Sequence, residues 1–254
     1  MKQIVIPVVL LLSLCSGLPR AGAESSDALY KKGVELEKQF KTSEALAAFL
    51  EAEKTDPDNV ELLIEIAKQY GDLLGDQKTK VDSKAMGEKA LEYAKRSYAL
   101  APDQWDTNLT MAVCYGKLTA FMGNKQKVAQ SKMIKAFADK AVALNPENDY
   151  AHHMLGRWHQ ELASMGGFTR GIANTFLGGL PDASFEQALA ELDKARKLRP
   201  DRLIHQVEYG RTLIMMGRKE EGKKELAKGL AMPNTERGDP VTKARGQKTL
   251  DDAG

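Results

Sequence analysis

Three histidines lie close together in the sequence and are the first candidates for chemistry. His152 and His159 are seven positions apart, so they would share one face of a helix, with His153 beside them. A metal site needs several converging ligands, and the sequence has no His-x-x-x-His or Cys-x-x-Cys motif. We therefore interpret the histidines as packed inside the helices. An envelope hydrolase or metal carrier that uses them is an alternative function.

Motifs of other enzyme classes are absent from the sequence. It contains neither a nucleophile motif with a Ser/His/Asp set nor a dinucleotide fingerprint. The glycine pairs Gly166-Gly167 and Gly178-Gly179 are not followed by the Gly-Lys-Ser/Thr of a phosphate-binding loop. We predict a protein that is not an enzyme and that holds no cofactor and no metal.

Two arginines are better suited to binding than to catalysis. Arg157 and Arg211 occupy the same position in a repeat that is described below. The guanidinium group offers a fixed fork of donors that suits an acidic or C-terminal carboxylate of a partner. Alternatively, the two arginines bridge to acids of neighbouring repeats, such as Glu161 and Glu208. Both interpretations remain open at the level of the sequence.

A repeated pattern of small and apolar residues predicts the helices that carry these side chains. Between Ser26 and Pro57, small or large apolar residues and a proline stand at positions 8, 11, 20, 24, 27 and 32, namely Gly33, Leu36, Ala45, Phe49, Ala52 and Pro57. This is the pattern of the tetratricopeptide repeat, a pair of antiparallel helices that must stack on neighbours to bury its apolar face.

The pattern recurs four more times along the chain. First helices are predicted to begin near Val60, Trp105, Asp149 and Leu203, with small residues at their crossing positions, namely Ala67, Ala112, Gly156 and Gly210. The second helices of units 2 to 4 end at prolines 102, 146 and 200. We predict an all-α, tetratricopeptide-like α-solenoid of about five helix pairs over residues 24–234, followed by a capping segment or tail over 235–254.

The fourth unit contains a long apolar insertion between its two helices. Four large apolar residues recur every four positions, at Phe168, Ile172, Phe176 and Leu180, as on one face of a short helix. An apolar segment of this length is expected to leave water. We expect it either to fold back on the solenoid or to act as a lid or docking surface.

The first 23 residues have the features of a secretory signal peptide. Lys2 is followed by a short apolar run and by the small-x-small cleavage site Ala21-Gly22-Ala23. Leu12 to Cys15 looks like a lipoprotein signal, but Leu14 is too large for its place, so a lipid anchor on Cys15 is the lesser alternative. We expect an exported protein, with the periplasm as its compartment and no transmembrane segment in the mature chain.

Removal of this segment leaves a chain of balanced charge. Two of the 37 basic residues are lost with it and none of the 35 acidic ones, so the mature chain has 35 of each. A neutral chain has no bulk attraction to nucleic acid or anionic lipid. Cys114 becomes a lone cysteine, which we interpret as a small buried residue. We therefore expect a protein or peptide partner and no nucleic acid.

Stacked repeats of this type bind partners in a concave groove formed by their first helices. The groove is predicted to be apolar in its first half and basic in its second. Its positions are held by Tyr30, Val34, Ile64, Lys68, Leu109, Val113, Tyr150, His153, Arg157, Gln160, Val207 and Arg211. The sequence therefore predicts a binding scaffold and leaves its partner and oligomeric state open.

The fourth unit resembles one known family. The run from His153 to Trp158, then Phe168, Arg170 and Phe176, and later Ala183 to Glu186, is similar to the regulator of microtubule dynamics family. The resemblance implies a tetratricopeptide-like fold. For the animal members it implies microtubule association, and for some of them attachment to organelles. A structural regulator that binds a polymer is thus a further alternative to a cell-envelope scaffold.

Overall fold

The computed structural model describes residues 24–165, 179 and 181–254. These residues form eleven α-helices and two 3-10 turns, and they contain no strand. The predicted all-α class is confirmed. The insertion residues Phe168, Ile172, Phe176 and Leu180 lie outside the described residues, as does the predicted signal peptide.

The helices pair in the order that the repeat predicts. In chain order they are α1 (Ser26–Lys38), α2 (Thr42–Glu53), α3 (Val60–Leu73), α4 (Lys80–Leu100), α5 (Trp105–Leu118), α6 (Asn124–Leu144), α7 (Asp149–Ala163), α8 (Phe185–Leu198), α9 (Leu203–Met215), α10 (Lys219–Ala231) and α11 (Asp239–Asp252). Helices α1 to α10 form five pairs, which we call units 1 to 5. The last helix, α11, packs on α9 and α10, within the segment predicted as a cap or tail.

The helices of a unit cross at positions that exclude larger side chains. A Cβ atom on Gly33 would lie 2.4 Å from the Phe49 ring. A Cβ atom on Gly210 would lie 2.6 Å from the backbone nitrogen of Leu226. The absence of a side chain therefore lets the helices of each of these units approach closely.

The helix starts follow from local sequence. Asn59 and Asn148 each stand two residues after a proline, and their side chains accept hydrogen bonds from the first turns of α3 and α7 at 3.0 and 2.8 Å. Asparagine is a favoured residue at this position because its side chain satisfies a backbone donor that the helix cannot. Capping therefore fixes where each of these first helices begins.

Units 2 and 3 contain more residues than unit 1, and the additional residues lengthen their second helices. Helices α4 and α6 have 21 residues each, whereas α2 has 12 and α10 has 13. The 3-10 turns Leu74–Asp76 and Thr119–Phe121 precede the extra turns. No described helix has both the length and the apolar character needed to cross a membrane.

The interior changes in character along the solenoid. The first three units share a large apolar cluster, with Phe49, Leu63 and Ile66 fully buried. Units 2 and 3 also bury neutral polar side chains such as Gln69 and Asn108, but in the last two units the fully buried side chains include Gln160 and the ionisable residues His205 and Glu208. Buried polar groups are costly unless they find partners, so this half of the structure depends on hydrogen bonds and ion pairs.

We expect Gly210→Ala to lower the free energy of unfolding by roughly 1–3 kcal/mol, as overpacked cores do. The added methyl group meets the backbone of Leu226, which cannot move aside as a flexible side chain could. The matched control is Gly75→Ala, because nothing lies within 4 Å of that position. Urea unfolding followed by circular dichroism measures both, and equal stabilities would contradict the close crossing.

Candidate functional site

The first helices of units 2 to 5 form one continuous face. Helix α3 contacts α5, α5 contacts α7, and α7 contacts α9. The face curves so strongly that unit 2 meets the chain beyond unit 5: the Arg237 guanidinium donates to the carbonyl oxygen of Asp72 at 2.7 Å. We call the concave side of these helices the groove.

The apolar residues predicted for the groove line its first half. Tyr30, Ile64, Leu109 and Val113 are all partly exposed, and the Tyr30 ring contacts Phe49 with centroids 5.7 Å apart. Val34 is partly exposed as well, whereas Val207 is fully buried and packs with its neighbours in unit 5. An apolar wall is therefore available in units 1 to 3.

Charged groups from several parts of the chain lie around Lys68 in the groove. Half of its side chain is exposed, yet its pKa is lowered, first because the surrounding protein displaces water from the ammonium group. Arg202 and Lys117 lower the pKa further, while Asp72 and Glu236 raise it. Since these groups belong to different units, the groove brings distant parts of the chain to one place.

Arg157 and Arg211 meet on a single carboxylate. Their guanidinium groups lie 2.5 and 2.6 Å from Oε2 of Glu208, and Arg245 of α11 forms an ion pair with Oε1 at 2.7 Å. Arg157 also pairs with Glu161 at 2.6 Å. The structure thus engages both predicted arginines with acids of the protein itself, and a partner carboxylate would have to compete with Glu208.

The three guanidinium groups decide the charge state of Glu208. Burial by itself would raise the pKa of this carboxyl group, but Arg157, Arg245 and Arg211 outweigh burial and hold its pKa at about 2. The side chain is fully buried. A buried charge of this kind is stable only with such partners, so Glu208 ties α7, α9 and α11 together.

Glu65 stands at the equivalent position of unit 2 without such partners. Its Oε2 atom is buried and accepts no hydrogen bond, and the nearest cation, Lys68 Nζ, is 4.0 Å away. Desolvation, followed by the charge of Asp72, raises the pKa of Glu65 to about 7. The same repeat position therefore holds an ionised carboxylate in unit 5 and a carboxyl group that resists ionisation in unit 2.

Gln160 continues the polar network between units 4 and 5. Its amide oxygen accepts a hydrogen bond from Arg157 at 2.8 Å, and its amide nitrogen donates to Thr212 Oγ1 at 2.7 Å. The side chain is fully buried. This predicted groove residue therefore connects two units and is covered by them.

The histidines form contacts within the protein. Nδ1 of His153 lies 3.1 Å from Nδ1 of His205, whose Nε2 lies 2.7 Å from the Asp149 carboxylate. Burial, followed by the charge of His205, lowers the pKa of His153 well below its ordinary value. Nδ1 of His152 lies 2.6 Å from Glu191. These contacts join α7 to α8 and α9.

The predicted histidine group does not assemble into a metal site within the described residues. No group of three or more His, Cys, Asp or Glu side chains there is placed to hold a metal ion. His159 packs edge-on against Trp158, with ring centroids 4.9 Å apart. The polar contacts of the histidines are those of buried side chains that connect helices.

The loop of residues 232–238, between α10 and α11, crosses the groove. Tyr150 donates a hydrogen bond to the Glu236 carboxylate, which also forms an ion pair with Arg202 at 2.9 Å. Arg237 reaches unit 2, where it contacts the Asp72 carbonyl oxygen and pairs with the Asp76 carboxylate. We call residues 232–238 the cross-groove loop.

Sequence reasoning missed the cross-groove loop and Arg245. All of them lie at or beyond the end of the last predicted repeat, where the chain has no repeat register. Arg237 contacts a residue 165 positions away. The one local signal was the pair of opposite charges Glu236-Arg237 beside a glycine, and it does not identify a partner.

Comparison with known proteins identifies the family. Residues 23–254, almost the whole chain, match the family "Regulator of microtubule dynamics protein 1-3". This chain belongs to that family. The resemblance noted in the fourth unit is therefore confirmed.

The family relatives are longer than this chain. It is 29% identical over 196 residues to regulator of microtubule dynamics protein 1 from Bos taurus, which covers 77% of this chain and 57% of the bovine protein. The Mus musculus protein of the same name is 28% identical, with 76% and 59% covered. The chain thus spans little more than half of these family members.

Solved structures support the same fold. A tetratricopeptide protein of Thermus thermophilus aligns with a TM-score of 0.67 and 19% identity over 89% of this chain and 99% of its own. A tetratricopeptide repeat protein of Parabacteroides merdae aligns with a TM-score of 0.54 and 14% identity over 90% and 74%. For this family member, the predicted tetratricopeptide-like solenoid is confirmed.

We expect Glu208→Gln and Glu65→Gln to change stability in opposite directions at pH 8. The low pKa of Glu208 means that its ionised form stabilises the fold above about pH 4.5, and this contribution is lost as the pH falls toward 2. The high pKa of Glu65 means the reverse: its contribution is present below about pH 4.5 and is lost as the pH rises through 7.

Thermal and urea unfolding at pH 8 and pH 5 test this pair. Glu208→Gln should cost roughly 3–5 kcal/mol at pH 8, because it leaves buried guanidinium groups unpaired. Glu65→Gln should raise stability at pH 8 by roughly 1 kcal/mol or more, and it should raise it less at pH 5. Glu161→Gln is the control, since that carboxylate is largely exposed. A loss of stability on substituting Glu65 at pH 8 would contradict its assignment.

Proposed function

We propose that the protein is a non-enzymatic scaffold that binds a protein or peptide in its groove. The single observation behind this proposal is that a stretch of chain, the cross-groove loop, already lies across the groove and is held there by side chains. The solenoid fold and the family membership also favour a scaffold or regulator. An apolar wall in units 1 to 3, followed by polar sites, suits a peptide of mixed character.

Two features support the absence of catalysis. The Cys114 thiol is buried, and desolvation raises its pKa to about 12, so it is not a nucleophile at neutral pH. The contacts of His153 and His205 lead to Asp149 and to each other. These groups therefore act in packing and connection between helices.

The groove is tested by site-specific photocrosslinking in living cells. A benzoylphenylalanine placed at Leu109 or Val113 should form adducts with the partner, because both side chains are partly exposed in the groove. The control is the same group at Ala143, which is exposed on the second helix α6. Adducts at Ala143, with none at the two groove positions, would contradict the proposal.

We also propose that the protein is exported to the cell envelope, on the strength of the signal-peptide features of its first 23 residues. The mature chain is expected to begin at Glu24, because Ala21 and Ala23 suit the signal peptidase. N-terminal sequencing of the protein from a cell fraction measures this. A mature chain that begins at an acylated Cys15 would replace the soluble form with a lipid-anchored one.

Family membership favours a second candidate function. The animal relatives carry the name regulator of microtubule dynamics, and a scaffold of this shape could bind a polymer of repeating subunits along its groove. The balanced charge of the predicted mature chain gives this function no bulk electrostatic support. Co-sedimentation with polymerised tubulin separates the two functions, since a peptide-binding scaffold stays in the supernatant.

A further inference from the structure

The cross-groove loop is held by its side chains at two separate places. Pro233, Asn234 and Thr235 are exposed, whereas Glu236 and Arg237 are partly buried. The loop therefore buries little apolar surface of its own in the groove. Its first residue, Met232, packs on the apolar cluster of unit 5, and its hold on the groove depends on one acidic and one basic side chain, adjacent in sequence.

The place that receives Glu236 is built by the solenoid. Arg202 is fixed by Asp149, whose carboxylate lies 2.5 Å away, and its guanidinium group stacks on the Tyr150 ring at 4.3 Å from the centroid. The ring of Tyr150 in turn meets the edge of His205, with centroids 5.6 Å apart. A guanidinium group and a phenol held in this way form a site for a carboxylate.

The place that receives Arg237 lies at the end of the first helix of unit 2. It consists of the carbonyl oxygen of Asp72 and the carboxylate of Asp76. The Asp72 carboxylate is held by Lys117 of unit 3 at 2.9 Å. These acceptors of unit 2 form a site for a guanidinium group, whereas Tyr150 and Arg202 belong to α7 and to the start of α9.

We propose that the cross-groove loop is an internal ligand, and that the partner presents a segment with the same turn, in which an acidic residue is followed directly by a basic one. This inference rests on the proposed function of the groove. The partner's carboxylate takes the place of Glu236 on Tyr150 and Arg202, and its cation takes the place of Arg237 on Asp72 and Asp76.

The contacts of the loop are suited to exchange. The side chains of Asp76 and Arg237 are 51% and 30% exposed, and ion pairs that remain in contact with water contribute little stability. The loop nevertheless has an advantage over a free peptide, because its tether gives it an effective concentration of about 1 mM. A free segment therefore binds measurably tighter once the loop is released.

The loop can be released without removing α11. That helix has its own attachments: the ion pair of Arg245 with Glu208, and Gly246, which packs against Val207 and Leu226. Substitution of the two charged loop residues leaves these contacts in place. The double variant Glu236→Gln, Arg237→Gln therefore vacates both side-chain sites, and we call it the released variant, although the loop backbone stays hydrogen-bonded to Asp239.

The probe is a fluorescein-labelled peptide with the sequence of residues 232–239, Met-Pro-Asn-Thr-Glu-Arg-Gly-Asp, measured by fluorescence anisotropy with the chain from residue 24 onward. It includes Asp239 because this carboxylate accepts hydrogen bonds from the backbone of Thr235 and Glu236, at 2.7 Å each. We expect the released variant to bind the peptide at least about tenfold tighter than the wild type, since the internal competitor is gone.

Two controls test the chemistry. A peptide with the acidic and basic residues exchanged should bind the released variant at least about tenfold more weakly, and Arg202→Gln in the released background should abolish the gain. Equal binding of both peptides overturns the proposal. So does a released variant that keeps its melting temperature and does not bind, or one that melts early, since the loop is then a structural brace. Crosslinking at Leu109 is independent of the loop, so it separates failure of this inference from failure of the groove.

Discussion

The helices of units 1, 4 and 5 cross at points where there is almost no room, and those of units 2 and 3 cross at the small residues Ala67 and Ala112. Gly33, Gly156 and Gly210 lie close to Phe49, Leu192 and Leu226, respectively. A methyl group on any of these glycines would clash with its neighbour. The close crossing fixes the angle within each unit and leaves one apolar side of the pair uncovered. Stacking of five units covers that side, and the groove is the concave surface that results. The loop, the polar network and the proposed binding sites all depend on this geometry.

The two halves of the solenoid bury different kinds of side chain. Units 1 to 3 use a shared apolar cluster, whereas units 4 and 5 bury Gln160, His205 and Glu208 and pair them across helices. An apolar interior tolerates many side chains of similar volume, but a buried ion pair requires its particular partners. The polar half therefore has a more narrowly defined arrangement, and it is the half that holds Tyr150 and Arg202.

The sequence predicted the fold well because the repeat is local. Proline, cap and small crossing residue recur at fixed spacing, and the first helices begin at Val60, Trp105, Asp149 and Leu203 as the pattern indicates. The candidate site could be predicted less completely from the sequence than the fold. Repeat position assigned Arg157 and Arg211 to the groove and named Glu161 and Glu208 as alternative partners, but it could not decide between the two interpretations or indicate that Arg245 would join them. Contacts that link a tail to unit 2 have no periodicity, so they follow only from the three-dimensional curvature of the whole stack.

The unequal second helices have a consequence for folding. In a chain of identical repeats, a unit can dock one place out of order at little energetic cost, because every interface is alike. Here α4 and α6 have 21 residues, while α2 and α10 have 12 and 13, so the lengths do not match when a unit is displaced. A misaligned stack would leave turns of the long helices without neighbours. The unequal lengths thus disfavour a stack in which a unit with a long second helix takes the place of a unit with a short one.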